Sequence, residues 1–381
     1  MKEQRYVLRN LKLVDERQID ITINNGWIER IAETGKPRSA SEVHRESERL
    51  AELDGAGLYV SSGWIDMHVH AFSELEPYGD EIDAIGVEQG VTTIVDAGSC
   101  GADRIGELLA SARAAQTKLL AFLNISHIGL LRVDELSELS WINRDKLLHA
   151  VREYGEYIVG LKARISRSVV KELGIEPLRL ARSFSEETGL PLMVHIGSGP
   201  PAIEEVVELL ASKDIITHYL NGKSNNLFGQ DDEPLPVLLD ALGRGVRLDV
   251  GHGTASFSFK VAEAATRHGI PLHTISTDIY RSNRVNGPVY SLANVMTKFL
   301  YLGYTLEQVV AAVTSTAADW LGRPELGRIE VGDPANLTLF EVREEQVQLV
   351  DSEGNERMAN QHIQAKGVVV DGKFIACELR S

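Results

Sequence analysis

Cysteine is scarce in this chain. Cys100 and Cys377 are the only two in 381 residues. Two thiols so far apart, with no secretory leader expected ahead of them, argue against a disulfide-framed secreted domain. The start Met1-Lys2-Glu3-Gln4-Arg5 leads into no long apolar run, so no signal peptide is expected. No uncharged apolar stretch reaches bilayer length. The expected location is the cytoplasm. Basic residues are in deficit: 39 Lys and Arg stand against 55 Asp and Glu, for a formal net charge of -16. Nucleic acid and anionic membranes both reward clustered Lys and Arg, so neither is an expected partner. Internal repeats and low-complexity segments are absent. So is a G-x-G-x-x-G opening a helix, which removes support for a nucleotide-binding doubly wound sheet.

What is present suits a large core. The apolar fraction is 43%, and the length fits one large barrel with an accessory domain. Residues 6–14 and 19–23 read as β-strands, and 27–31 as another. Asn25-Gly26 between the last two is a hairpin signal, because both residues tolerate positive φ. Residues 33–49 are polar and read as an exposed loop. From residue 57 the texture changes. Eight apolar strand-like runs follow, at 57–70, 91–95, 118–125, 158–162, 191–195, 215–218, 246–250 and 273–278. Each is followed by helical sequence, weakest at 81–89. Repeated β-then-α texture implies parallel strands. Eight units over this length predict an α/β chain with a (β/α)8 TIM barrel over 58–331. An open doubly wound sheet is the alternative. After residue 321 short strands return, at 336–340, 346–350, 367–370 and 374–375. Strands at both chain ends predict a small β-sandwich domain from residues 1–57 plus 332–381.

Barrel active sites sit at the C-terminal strand ends. The first strand ends in His68-Val69-His70, and alternate residues of a strand share a face. Taken alone, such a pair reads as two hydrogen-bonded histidines. The fourth strand ends in Lys162, the fifth in His195, the sixth in His218 and the eighth in Asp278. Four histidines, a lysine and an aspartate at one rim predict a metal site. Lys162 follows Val-Gly-Leu, and a buried lysine is costly unless paired or neutral. A neutral amine can take up carbon dioxide as a carbamate, whose two oxygens can bridge two metals. The alternative is an ammonium paired with an acid.

These residues resemble the amidohydrolase superfamily of metal-dependent hydrolases. Residues 327–337, Gly-Arg-Ile-Glu-Val-Gly-Asp-Pro-Ala-Asn-Leu, resemble its return from barrel to sandwich. Gly160-Leu161-Lys162-Ala163-Arg164, Thr217-His218-Tyr219-Leu220-Asn221-Gly222 and Gly251-His252-Gly253 resemble its amidohydrolase/deacetylase, dihydroorotase-like subgroup. The resemblance implies two divalent ions, zinc being the expected metal. His68, His70 and Asp278 would hold one, His195 and His218 the other, and carboxylated Lys162 would bridge them. Asp278 would also be the catalytic acid–base. The implied reaction is hydrolysis of an amide or ester.

Substrate signals are sparser. Dihydroorotases commonly carry an arginine two residues after H-x-H, and Phe72 stands there. Arg164, Lys223, Arg281 and Arg284 are cations that could meet a substrate carboxylate, Arg164 and Arg284 being the expected contacts. His252, between glycines that permit close backbone approach, is a third substrate-side candidate. Asn221-Gly222 could equally be a turn, and Cys100 reads as a buried, inert thiol. The expected activity is deacetylation of N-acyl amino acids or O-acetyl hydroxy acids, so the expected partner is a small acylated acid. The alternatives are a cyclic amidase of dihydroorotase or hydantoinase type, and a non-catalytic scaffold. The sequence leaves open whether the chain forms a homo-oligomer.

Overall fold

The computed structural model describes residues 5–34 and 51–377. Most of the polar stretch 33–49 lies outside those residues. Strands β1 (Arg5–Lys12), β2 (Gln18–Asn24) and β3 (Trp27–Glu33) form an antiparallel meander. Asn25 and Gly26 join β2 to β3 with φ of 49° and 87°. Two successive left-handed residues make the turn whose twist matches a two-residue hairpin. Strand β4 (Ala51–Asp54) runs parallel to β1, and β5 (Tyr59–Ser62) follows.

Seven parallel strands then form the barrel: β6 (Trp64–Val69), β7 (Val91–Ala97), β8 (Lys118–Asn124), β9 (Ile158–Ile165), β10 (Leu192–Ile196), β11 (Ile215–Thr217) and β12 (Arg247–Asp249). Every residue of β6 and β7 is buried. Parallel strands covered on both faces read as continuous apolar runs, which is why the sequence pattern located them. Helices such as Arg144–Tyr154 and Glu176–Thr188 form where their periodicity predicts. The weak first helix shrinks to Ile82–Ile85 plus a 3-10 turn.

The expected eighth strand closes the barrel without a regular ladder. Single parallel bridges join Thr274 to Asp249 and Ile279 to Val69. Side chains reinforce the few backbone bonds, such as Val250 N–H to Thr274 O at 3.1 Å and His70 N–H to Ile279 O at 3.0 Å. Thr274 and Ser276 donate hydroxyls to buried Asp249, at 2.7 Å each. Thr277 donates its hydroxyl and its N–H to buried Asp66, at 2.5 and 3.1 Å.

After the barrel come β13 (Leu337–Arg343), β14 (Val347–Val350), β15 (Glu356–Ala359), β16 (His362–Val370) and β17 (Lys373–Ala376). The terminal sheet has the order β17-β16-β13-β5-β1-β2-β3, so both chain ends share it. β14 and β15 form a separate hairpin. The sheet keeps the chain through Ser62, paired to Leu337, so the hand-over to the barrel falls at Gly63 rather than at residue 58. A Cβ at Gly63 would lie 2.0 Å from Thr92 Oγ1. No described helix is long and apolar enough to cross a membrane.

Trp64, fully buried, is tilted against Phe340 of the sheet with centroids 5.4 Å apart. Trp64→Ala should therefore cost about 3–5 kcal/mol by leaving a cavity at the seam. Denaturant titration checks this; a loss below about 1 kcal/mol would mean the seam closes over the gap.

Candidate metal centre

β6 carries His68 and, just past its end, His70 to the rim. The eighth segment brings Asp278 beside them through the Asp278 N–H, which donates to His68 O at 2.7 Å. Asp278 Oδ1 lies 3.4 Å from His68 Nε2 and 3.1 Å from His70 Nε2. One ligand atom from each of the three lies within 4.8 Å of the others. Asp278 adopts φ 51°, a left-handed conformation for a non-glycine residue. Burial pushes its carboxyl up, but His68, His70 and His218 outweigh that and hold it well below the usual carboxylate range.

The outer face of each imidazole is tied down. Thr217 gives its one proton to Asp249 Oδ2 at 2.8 Å, so its oxygen accepts from His68 Nδ1–H at 2.8 Å. That leaves the His68 Nε2 lone pair facing the centre, the tautomer a metal ligand needs. His70 Nδ1 pairs with Ser99 Oγ at 2.8 Å, and Ser99 N–H donates to Asp96.

His195 on β10 and His218, one residue past β11, stand edge to face with centroids 4.3 Å apart. His218 lies 5.0 Å from His68 by the same measure. His218 Nδ1 donates to Gly251 O at 2.5 Å, leaving Nε2 free to coordinate. Burial pushes His68 down to about 4 and drives His195 and His218 well below their ordinary value, with cationic neighbours adding to it. All three are neutral imidazoles at pH 7, as coordination requires.

Lys162, 1% exposed, points into the same space. Its Nζ lies 3.1 Å from His68 Nε2 and 3.4 Å from Met193 Sδ. Among the described residues it forms no ion pair. Burial pushes it down to about 7, against the pull of Asp278 and Asp249. A substantial share of Lys162 is therefore neutral amine at physiological pH. Gly98 makes room for it, since a Cβ there would lie 2.7 Å from Lys162 Cβ.

The three expected substrate contacts separate. Arg164 stays at the mouth, 3.5 Å from buried Glu135 and with its guanidinium 5.9 Å from the Tyr78 ring centroid. Arg284 is instead buried and held by Asp80, at 2.5 and 2.8 Å. That pairing spends its charge inside the protein. His252 is also withdrawn: it is fully buried, stacked on Phe257 and bonded to Lys298 Nζ at 2.7 Å. The glycines beside it allow close approach to Thr217 and Asp278. A Cβ at Gly251 would lie 2.3 Å from Thr217 Oγ1, and one at Gly253 2.4 Å from Asp278 Oδ2. Arg281 lies 3.7 Å from both Asp80 and Glu81. Lys223 forms no ion pair among the described residues; burial pushes it down while Asp278 pulls it up. Asn221 is a turn residue, bonded to His218 O and Lys223 N–H. Cys100 is buried, and burial pushes its thiol well above its ordinary value. Phe72 is buried beneath Arg104, whose guanidinium is 4.5 Å from the ring centroid. Asp249, Ser99 and Asp96 carry no motif that marks them in the sequence, whereas Thr217 opens the stretch 217–222. A lone carboxylate in an apolar strand, as at Asp249, is the only available signal.

Comparisons with known proteins agree with this geometry. A family model described as a deacetylase-like composite domain matches residues 329–374. A deacetylase from Enterococcus faecalis is 39% identical over 97% of this chain and 98% of its own length. Among solved structures, an adenine deaminase is 38% identical with a TM-score of 0.90, covering 97% of this chain and 99% of that one. A dihydroorotase structure is 32% identical with a TM-score of 0.88, covering 98% of each. Those three names denote different reactions on one scaffold. Near full-length identity at this level, on a barrel whose rim gathers these side chains, means that the chain belongs to the deacetylase-like family of the amidohydrolase superfamily.

Proposed function

We propose that this chain is a binuclear metal-dependent hydrolase that removes an acyl group from N-acyl amino acids or O-acetyl hydroxy acids. The observation that carries the reading is the convergence of His68, His70 and Asp278 within 4.8 Å, beside a buried lysine that forms no ion pair among the described residues. His68, His70 and Asp278 would hold one divalent ion and His195 and His218 a second, with zinc favoured by the imidazole-rich set. Lys162, as its carbamate, would bridge them; its weak contacts to Met193 Sδ and His68 Nε2 leave the amine free to react. When bound, such ions polarise a carbonyl and acidify a water.

The chain's own residues supply the rest. Asp278 is ionised, so one of its oxygens can accept the proton of the attacking water. It then returns that proton to the leaving nitrogen or oxygen as the C–N or C–O bond breaks. Thr217 and Ser99 keep His68 and His70 in fixed orientations. Lys223 binds the substrate carboxylate, because it forms no ion pair among the described residues, and Arg164, only 3.5 Å from Glu135, is the second candidate. The acidic surface supports a small-molecule partner over nucleic acid. A cyclic amidase is the second reading, favoured by the similarity to the dihydroorotase structure. Phe72, covered by Arg104, weighs against it.

Chelation should abolish hydrolysis, and two divalent ions per chain should restore it, as read by metal analysis with activity titration. Asp278→Asn should lose at least about 100-fold in kcat. Turnover of dihydroorotate but of no acyl acid would favour the second reading; activity unaffected by chelation would sink both. With 13C-bicarbonate, the wild type should give a carbamate resonance that Lys162→Gln lacks. Lys223→Met should raise KM for acyl acids by roughly 10- to 100-fold, the value of a charged hydrogen bond. The same variant should leave KM for the corresponding carboxamides nearly unchanged. Equal effects on both substrates would remove Lys223 from carboxylate binding.

A further inference from the structure

A second buried lysine lies behind the metal centre. Lys298, in the helix Leu292–Tyr301, is 0% exposed. Its Nζ meets three acceptors: His252 Nε2 at 2.7 Å, Val350 O at 2.7 Å and Pro288 O at 3.0 Å. An ammonium has three protons, and each finds a partner. This differs from Lys162, whose neighbours are one imidazole and a thioether. The three acceptors belong to the loop after β12, the loop after the eighth barrel segment, and the end of β14. One charge therefore ties two rim loops to the terminal domain.

The tie reaches Asp278 through backbone. His252 Nε2 accepts from Lys298, so its proton sits on Nδ1, which donates to Gly253 O at 2.9 Å. Ser352 Oγ, in the turn after β14, donates to the same Gly253 oxygen at 2.9 Å. Gly253 N–H donates to Thr277 O at 2.9 Å, and His252 N–H to Ser276 O at 3.2 Å. Gly253, at φ +54°, lies so close to the Asp278 carboxylate that a Cβ would come within 2.4 Å of Oδ2.

We infer that Lys298 is a positioning residue, acting through His252 and together with Ser352 to hold Gly253 against Asp278. The terminal domain is then part of the catalytic support, not only a cover for the barrel. This rests on the hydrolase reading for Asp278, but its structural consequence can be measured without turnover. In metal-loaded full-length protein, Lys298→Met and Ser352→Ala should each speed amide hydrogen exchange at His252 and Gly253 by about tenfold. Exchange in β8 should stay at the wild-type rate. With an acyl-acid substrate, Lys298→Met should lower kcat by about 10- to 100-fold, as small misplacements of a catalytic group do. KM and metal content should hold near wild type. If Lys298→Met does not fold, Ser352→Ala carries the test. Unchanged exchange at His252 and Gly253 in a folded variant overturns the inference. So does exchange that rises evenly across the barrel, or a kcat loss matched by a rise in KM or by metal loss. If the wild-type chain hydrolyses no acyl substrate, the activity reading fails, and the exchange measurement still decides the role of Lys298.

Discussion

Asp249 holds the candidate metal centre and the barrel seam together. Its buried carboxylate accepts hydroxyl protons from Thr217, Thr274 and Ser276. Two of these bonds reinforce the short backbone pairing of the irregular eighth segment with β12. The third fixes Thr217 as an acceptor, and that sets the His68 tautomer. Burial alone would push the Asp249 carboxyl up, but the neighbouring His68 ring and the hydroxyl donors Ser276 and Thr274 hold it below its ordinary value. A buried charge is tolerable only when its lone pairs are filled. Here filling them both closes the barrel and aims a ligand.

The two buried lysines show how partners, rather than burial, decide chemistry. Burial pushes each down to about 7. Lys298 meets three acceptors and is pulled back toward the ammonium by Asp351. Lys162 meets an imidazole and a sulfur. The first arrangement suits a structural cation. The second suits an amine available to an electrophile.

The terminal sheet and the separate β14–β15 hairpin are both joined closely to the barrel. Gly63 passes the chain from β5 to β6 with no loop between them. Trp64 and Phe340 pack across that passage. At the opposite rim the turn after β14 returns to the loop after β12, where Ser352 bonds Gly253 and Phe257.

Much of the fold was readable along the chain because its causes are local. Strands buried on both faces give unbroken apolar runs, and Asn25-Gly26 gives a hairpin wherever it stands between strands. The strand-end rule placed His68, His70, Lys162, His195, His218 and Asp278 at a common rim, because parallel strands must end on the same side. The fates of Arg284 and His252 were not readable. Asp80, which takes up the Arg284 charge, lies 204 residues away, and Lys298 lies 46 residues beyond His252. A charge near the rim serves a ligand or the protein according to which acid the closed barrel sets beside it. That pairing exists only once eight loops from the whole chain meet at one end.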